Sequence, residues 1–100
     1  MHLTPRETEK LLIYQLGDIA QRRKAKGLKL NHPESMSLIC STALEGAREG
    51  KSVEEVMKEA ASVLTRDDVM EGVAEMIPFV QLEAVFTDGT RLITVHDPIK

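Results

Sequence analysis

Four times in this chain a capping residue is followed three positions later by a carboxylate: Thr4 by Glu7, Asn31 by Glu34, Ser52 by Glu55 and Thr65 by Asp68. At a helix start the first side chain accepts a hydrogen bond from an orphan backbone N–H, and the acid reaches back to the cap. The acid's charge also suits the positive end of the helix dipole. Four such boxes predict four helices, and they assign a structural task to acids that would otherwise suggest catalysis.

The spacing of apolar residues fills in these helices. The first starts after Thr4, with Pro5 at the first helical position, where a missing N–H costs nothing. Leu12, Leu16 and Ile19 form one stripe flanked by Ile13 and Ala20, and the basic run Arg22, Arg23, Lys24, Lys26 precedes the stop at Gly27. The second runs from about His32 to Glu49 and closes at Gly50. Met36, Ile39, Cys40, Ala43 and Ala47 share one face, with Gly46 beside it, and small residues there let another helix approach closely. The third starts at Ser52, with Val53, Val56, Met57, Ala60 and Leu64 as a seam. A short fourth helix is expected from Thr65 to near Gly72.

Beyond Gly72 the period changes to that of a strand. Val80, Leu82, Ala84 and Phe86 alternate with Gln81 and Glu83, Asp88-Gly89 supplies a two-residue turn, and Arg91 to His96 returns. This predicts an α+β fold: a small bundle of about four helices within residues 5–72, then a C-terminal antiparallel hairpin over about 80–96, all in a single domain of residues 1–100. With Asp88-Gly89 as the turn, Phe86 faces Arg91, Val85 faces Leu92, Ala84 faces Ile93 and Leu82 faces Val95. One face (Val80, Leu82, Ala84, Phe86, Ile93, Val95) then covers the helices. The other carries Val85, Leu92 and His96. A two-stranded ribbon is marginal alone and has open edges, and no spare segment remains to cover it. Val85, Leu92 and His96 are therefore the candidate interface with another chain.

Catalytic constellations are not legible. His2, His32 and His96 lie in separate segments without the spacing that puts two ligands on one helix face, and Cys40 is the only cysteine. A lone thiol reads as a core residue in a reducing compartment. Glu45-Gly46-Ala47-Arg48-Glu49-Gly50 lacks the strand–loop–helix context of a phosphate loop. Asp67, Asp68 and Glu71 lack the ligand order of a calcium loop and read as helix-start acids. A net charge of -3 and only three aromatic residues argue against nucleic-acid binding, although Arg22 to Lys29 between two helices loosely suggests a helix-turn-helix. With no apolar run long enough to span a membrane and no signal peptide, the cytoplasm is the expected location.

Several segments carry a family resemblance: Leu3-Thr4-Pro5-Arg6-Glu7, Arg22 through Asn31, Glu45-Gly46-Ala47-Arg48, Leu64 through Val73, Glu75-Met76-Ile77, Asp88-Gly89-Thr90 and Thr94-Val95-His96. In order and along the whole chain, this resembles the gamma (small) subunit of microbial urease. The family usually has tyrosine at the position of His32, proline at those of Ala74 and Thr87, and asparagine at that of Asp97; the stretch from Gln15 to Asp18 also diverges. The resemblance implies a non-catalytic structural subunit of an enzyme that hydrolyses urea to ammonia and carbamate, which decays to carbonic acid. It implies alpha and beta subunits as partners in a trimer of three-chain units, with nickel held by the alpha subunit and no cofactor, metal or catalytic residue here. Because the chain stops soon after the hairpin, a separate subunit is expected rather than a fusion. The competing readings are a free-standing helical regulatory or nucleic-acid-binding module, and a small enzyme using acids such as Glu71 and Glu75.

Overall fold

A computed structural model describes residues Met1–Lys100. Helix α1 (Pro5–Ala25), helix α2 (His32–Arg48) and helix α3 (Val53–Ala60) each begin with a complete capping box. Thr4, Asn31 and Ser52 accept from the backbone N–H groups of Glu7, Glu34 and Glu55, whose carboxylates accept from the caps in return. The first two helices end as the glycines dictate. Gly27 and Gly50 take left-handed φ of 81° and 91°. The N–H of Leu28 then donates to Arg23 and that of Lys51 to Gly46, so the last carbonyls are satisfied.

The fourth helix departs from expectation. Thr65 opens only a three-residue 3-10 turn, Arg66–Asp68, and Gly72 precedes the one-turn helix α4 (Val73–Met76) instead of ending a helix. Here the acid does the capping alone: Asp68 Oδ2 accepts from both the N–H (2.8 Å) and the hydroxyl (3.1 Å) of Thr65, while the N–H of Asp68 donates to the Thr65 carbonyl. The helix stops because the next residues are claimed elsewhere. Val69 forms a parallel bridge to Leu30, whose N–H donates to Asp68 O (2.9 Å) and whose carbonyl accepts from Met70 N (2.8 Å). Similarly, Leu64 is in the core without being helical, because α3 ends at Ala60 and Leu64 bridges to Ile99.

Strands β1 (Phe79–Phe86) and β2 (Gly89–His96) form the antiparallel hairpin. Its register differs from the expected one by two residues: Phe86 pairs with Gly89, Val85 with Thr90, Glu83 with Leu92 and Val80 with Val95. Thr87 and Asp88 occupy the corners at ordinary φ, and Gly89 takes the positive value of 121°. A turn centred on Asp88-Gly89 would have forced Asp88 to positive φ as well. It would also have set Val80 opposite Asp97; the observed register gives Val80 a buried partner in Val95. A shift of two keeps every side chain on its face. Val80, Ala84, Phe86, Ile93 and Val95 are therefore buried as expected, with Leu82 half-buried.

Helix α2 is the centre, packing against α1, α3 and β1, while α3 meets β2. The approaches are close where side chains are small. A Cβ on Gly46 would lie 3.1 Å from Val56 Cγ2, and one on Gly17 would lie 2.3 Å from Ser41 Oγ. Helix α1 therefore presents Ile13, Gly17 and Ala20 to α2, which corrects the expected stripe: Leu16 and Ile19 are half-buried and Leu12 is 59% exposed.

Two of the departures from the usual family residues sit where either residue fits. Ala74 is in the first turn of α4, where N–H groups have no intrahelical partner and proline is tolerated. Thr87 is the first corner of the hairpin turn, where proline presets φ. Asp97 has a left-handed φ of 44°, the only non-glycine residue to do so, and donates its N–H to Pro78 O at 2.9 Å. Asn and Asp tolerate this conformation far better than branched residues do. Asp97→Asn should leave the unfolding free energy from urea melts within a few tenths of a kcal/mol, and Asp97→Val should lower it by about 1–2 kcal/mol. Equal midpoints for the two variants would show that the backbone is not held there.

Candidate subunit interface

The three residues singled out from sequence all lie on the outer face of the hairpin. Val85 is 56% and Leu92 65% exposed, and the register makes them diagonal neighbours instead of a facing pair. Their direct partners are Thr90 and Glu83. His96 is on the same face but at the other end, four residues or about 13 Å along the strand from Leu92. There it pairs with exposed Phe79, ring centroids 6.4 Å apart and tilted by 49°. Between the two ends runs a polar belt, where Gln81 Nε2 donates to Thr94 Oγ1 at 3.2 Å. The structure therefore brings Val85 and Leu92 together and separates His96 from them. Phe79 was missed because it precedes the expected strand start. At the tip, Arg91 holds the Asp88 carboxylate at 2.5 Å and keeps its carboxyl below the usual aspartate range.

Several other titratable groups have structural employment. Hydrogen bonds from the Thr65 backbone hold the Asp68 carboxyl low, and Glu75 is paired with Arg66. Lys29 donates to the Asp67 carbonyl. Burial pushes the Cys40 thiol up to about 11, away from thiolate chemistry. A cleft of about 490 Å³ between α1 and α2 is lined by Tyr14, Asp18, Glu45, Glu49 and Glu59. Tyr14 Oη donates there to Glu45 Oε1 at 3.2 Å, and desolvation followed by that carboxylate raises the phenol to about 12. The cleft offers acids and a neutral phenol without a nucleophile–base pair. No group of three His, Cys, Asp or Glu side chains could hold a metal ion. No helix is long and apolar enough to cross a membrane.

The family model for the urease gamma subunit matches residues 1–99. The chain is 72% identical to urease subunit gamma of Yersinia rohdei and 71% identical to that of Yersinia enterocolitica, over 100 residues and the whole of both chains in each case. Urease subunit gamma of Yersinia pseudotuberculosis serotype O:3 (strain YPIII) is also 71% identical over the same span.

The chain belongs to the urease gamma-subunit family.

As a urease gamma subunit it is one chain of a multi-subunit hydrolase, and a non-catalytic one. The regulatory or nucleic-acid-binding alternative is not favoured. Nickel, the metal of that enzyme, finds no fitting ligand set in this gamma chain. Its three histidines sit ahead of α1, at the start of α2 and at the end of β2, and acids such as Glu34, Asp68 and Glu75 are engaged in caps and ion pairs.

Proposed function

We propose that this gamma subunit serves as a structural part of urease, packing as one domain with alpha and beta subunits into a trimer of such three-chain units in the cytoplasm. The nickel ions that hydrolyse urea are then held by the alpha subunit, and this chain alone releases no ammonia. The observation that carries the reading is the exposed apolar surface of the hairpin, Val85 and Leu92 with Phe79 and His96 beyond them, on a ribbon whose inner face is already used. A core of 20 buried residues running from Ala20 to Ile99 supports the single-domain reading.

Covering what remains exposed of Val85 or Leu92 would gain roughly 1–2 kcal/mol each. Leu92→Asp should therefore abolish co-purification with the larger subunits while leaving the melting curve of the isolated chain close to that of the parent. Normal assembly of this variant would show that the outer hairpin face remains in water.

A further inference from the structure

Among the aspartates of this chain only Asp88 is followed by glycine: Asp18, Asp68 and Asp97 precede Ile19, Val69 and Pro98, and Asp67 precedes Asp68. The side-chain carboxyl group of an aspartate can be attacked by the backbone nitrogen of the next residue, closing a five-membered succinimide. A branched neighbour crowds that nitrogen, proline's carries no proton to give up, and glycine leaves it open. The space at Gly89 is also empty, since a Cβ built there would meet nothing within 4 Å. The Asp88 side chain is 58% exposed, so water reaches it.

The carboxylate is nevertheless restrained. Arg91 Nη2 donates to Asp88 Oδ2 at 2.5 Å and Arg91 Nε to Oδ1 at 3.3 Å, so one guanidinium occupies both oxygens. Lys51 and Glu54 line the same cleft between the start of α3 and the hairpin tip, but Lys51 is taken by Glu59 at 2.6 Å and Glu49 at 3.5 Å. Arg91 is the only cation paired with Asp88.

We propose that Asp88-Gly89 is a site of spontaneous aspartate isomerisation at the hairpin tip, held in check by Arg91. The Gly89 nitrogen bonds to Asp88 Cγ, and one side-chain oxygen departs as water with the amide proton and the carboxyl proton. Water then opens the ring. Attack at Cγ restores aspartate. Attack at the Asp88 main-chain carbonyl carbon breaks its bond to the Gly89 nitrogen, so the chain runs through Cγ and the α-carboxylate is free. Ring closure needs the neutral carboxyl, because a carboxylate would have to expel an oxide ion. Arg91 favours the carboxylate and holds the Asp88 carboxyl below its ordinary 3.8. The product places one extra main-chain atom in a two-residue turn, whose length sets the pairing of Phe86 with Gly89. Isomerisation therefore loosens the ladder at the tip, and none of this depends on the subunit role proposed above.

The test is to age the folded chain in heavy-oxygen water, digest it in ordinary water and map the peptide that holds Asp88. Each passage through the succinimide fixes one heavy oxygen there, and the isoaspartate form separates by chromatography. Arg91→Gln should raise both readouts about two- to fivefold over the parent, the factor that an exposed ion pair is worth. Arg91→Lys keeps a cation and should stay nearer the parent. High salt screens the exposed pair and should raise the parent's rate without any substitution, which keeps the test open even if Arg91→Gln unfolds. Asp88→Ser should take up no heavy oxygen in this peptide. Equal rates in Arg91→Gln and the parent overturn the guarding role, and so does an Arg91→Lys rate equal to that of Arg91→Gln, which would show only a loosened turn. Uptake that persists in Asp88→Ser, or none in the folded parent and Arg91→Gln while the urea-unfolded chain is labelled, overturns the site itself.

Discussion

Gly17→Val is expected to destabilise the chain by about 3 kcal/mol, at the upper end of what overpacking a core contact costs. Glycine in a helix interior is normally a weakness, and alanine there should add about 1 kcal/mol by propensity. The approach of α2 reverses that expectation. A Cβ on Gly17 would sit 2.3 Å from Ser41 Oγ, 2.9 Å from Ser41 Cβ and 3.1 Å from the Ser37 carbonyl oxygen. A hydroxyl can rotate away, but a Cβ and a backbone oxygen move only with their helix. Gly17→Ala should therefore still lose stability, by about 1 kcal/mol, once its propensity gain is set against the clash. Combining it with Ser41→Gly should restore most of that loss relative to Ser41→Gly alone, which urea melts of the four proteins would read as a coupling between the sites. A Gly17→Val chain as stable as the parent would mean that the helices are not held this close.

Glu34→Ala should cost about 2–3 kcal/mol, the range for losing a buried hydrogen bond to a charged group. The Glu34 side chain is only 5% exposed, yet both its oxygens are used: Oε1 accepts from Asn31 N at 2.9 Å and Oε2 from Arg23. Alanine removes the acceptor from a partly buried N–H, leaves Arg23 unpaired and opens a small void. Glu34→Gln keeps the shape and should cost less.

The pH dependence separates these contributions. The Asn31 backbone bond, helped by Arg23 and opposed by desolvation, holds the Glu34 carboxyl below its ordinary value of 4.5. The unfolded chain therefore takes up this proton first as pH falls. The stabilisation is complete above about 4.5, declines below it, and is gone once pH has passed the folded value. Asp68, held low by the Thr65 backbone, acts in the same direction from 3.8 downward. Stability measured between pH 7 and 3 should fall less steeply for Glu34→Gln than for the parent. Parallel curves would show that the folded and unfolded chains bind this proton alike.

Much of the secondary structure was legible because its signals are local. A side chain three residues from its backbone partner caps a helix wherever that helix ends up, so the boxes at Thr4, Asn31 and Ser52 located three starts. Strand alternation assigned both hairpin faces correctly even though the register was off by two, since a shift of two residues preserves sidedness. The same logic found Val85 and Leu92 as uncovered apolar positions. It could not find that His96 lies with Phe79, because that pairing depends on register and strand length. Nor could it find which side of α1 turns inward. The spacing of Leu12, Leu16 and Ile19 predicts a seam within the chain, but periodicity reports that a stripe exists without saying what it meets.

By itself, then, the sequence determined three capped helices, the sidedness of the ribbon, and segments specific enough to mark the urease gamma-subunit family. Tertiary structure alone decided which side of α1 turns inward, where the segment after Thr65 leaves the helix, and how the strands pair. The physical reason is the same in each case. The small residues Gly17 and Ala20 allow α1 and α2 to come closer than Leu12 and Leu16 would. Leu30 offers Asp68 and Met70 backbone bonds in place of another helical turn. The observed strand register buries Val80 against Val95 and leaves positive φ to Gly89, where no Cβ resists it. These choices compare contacts between residues far apart in the chain, and no local signal carries that comparison.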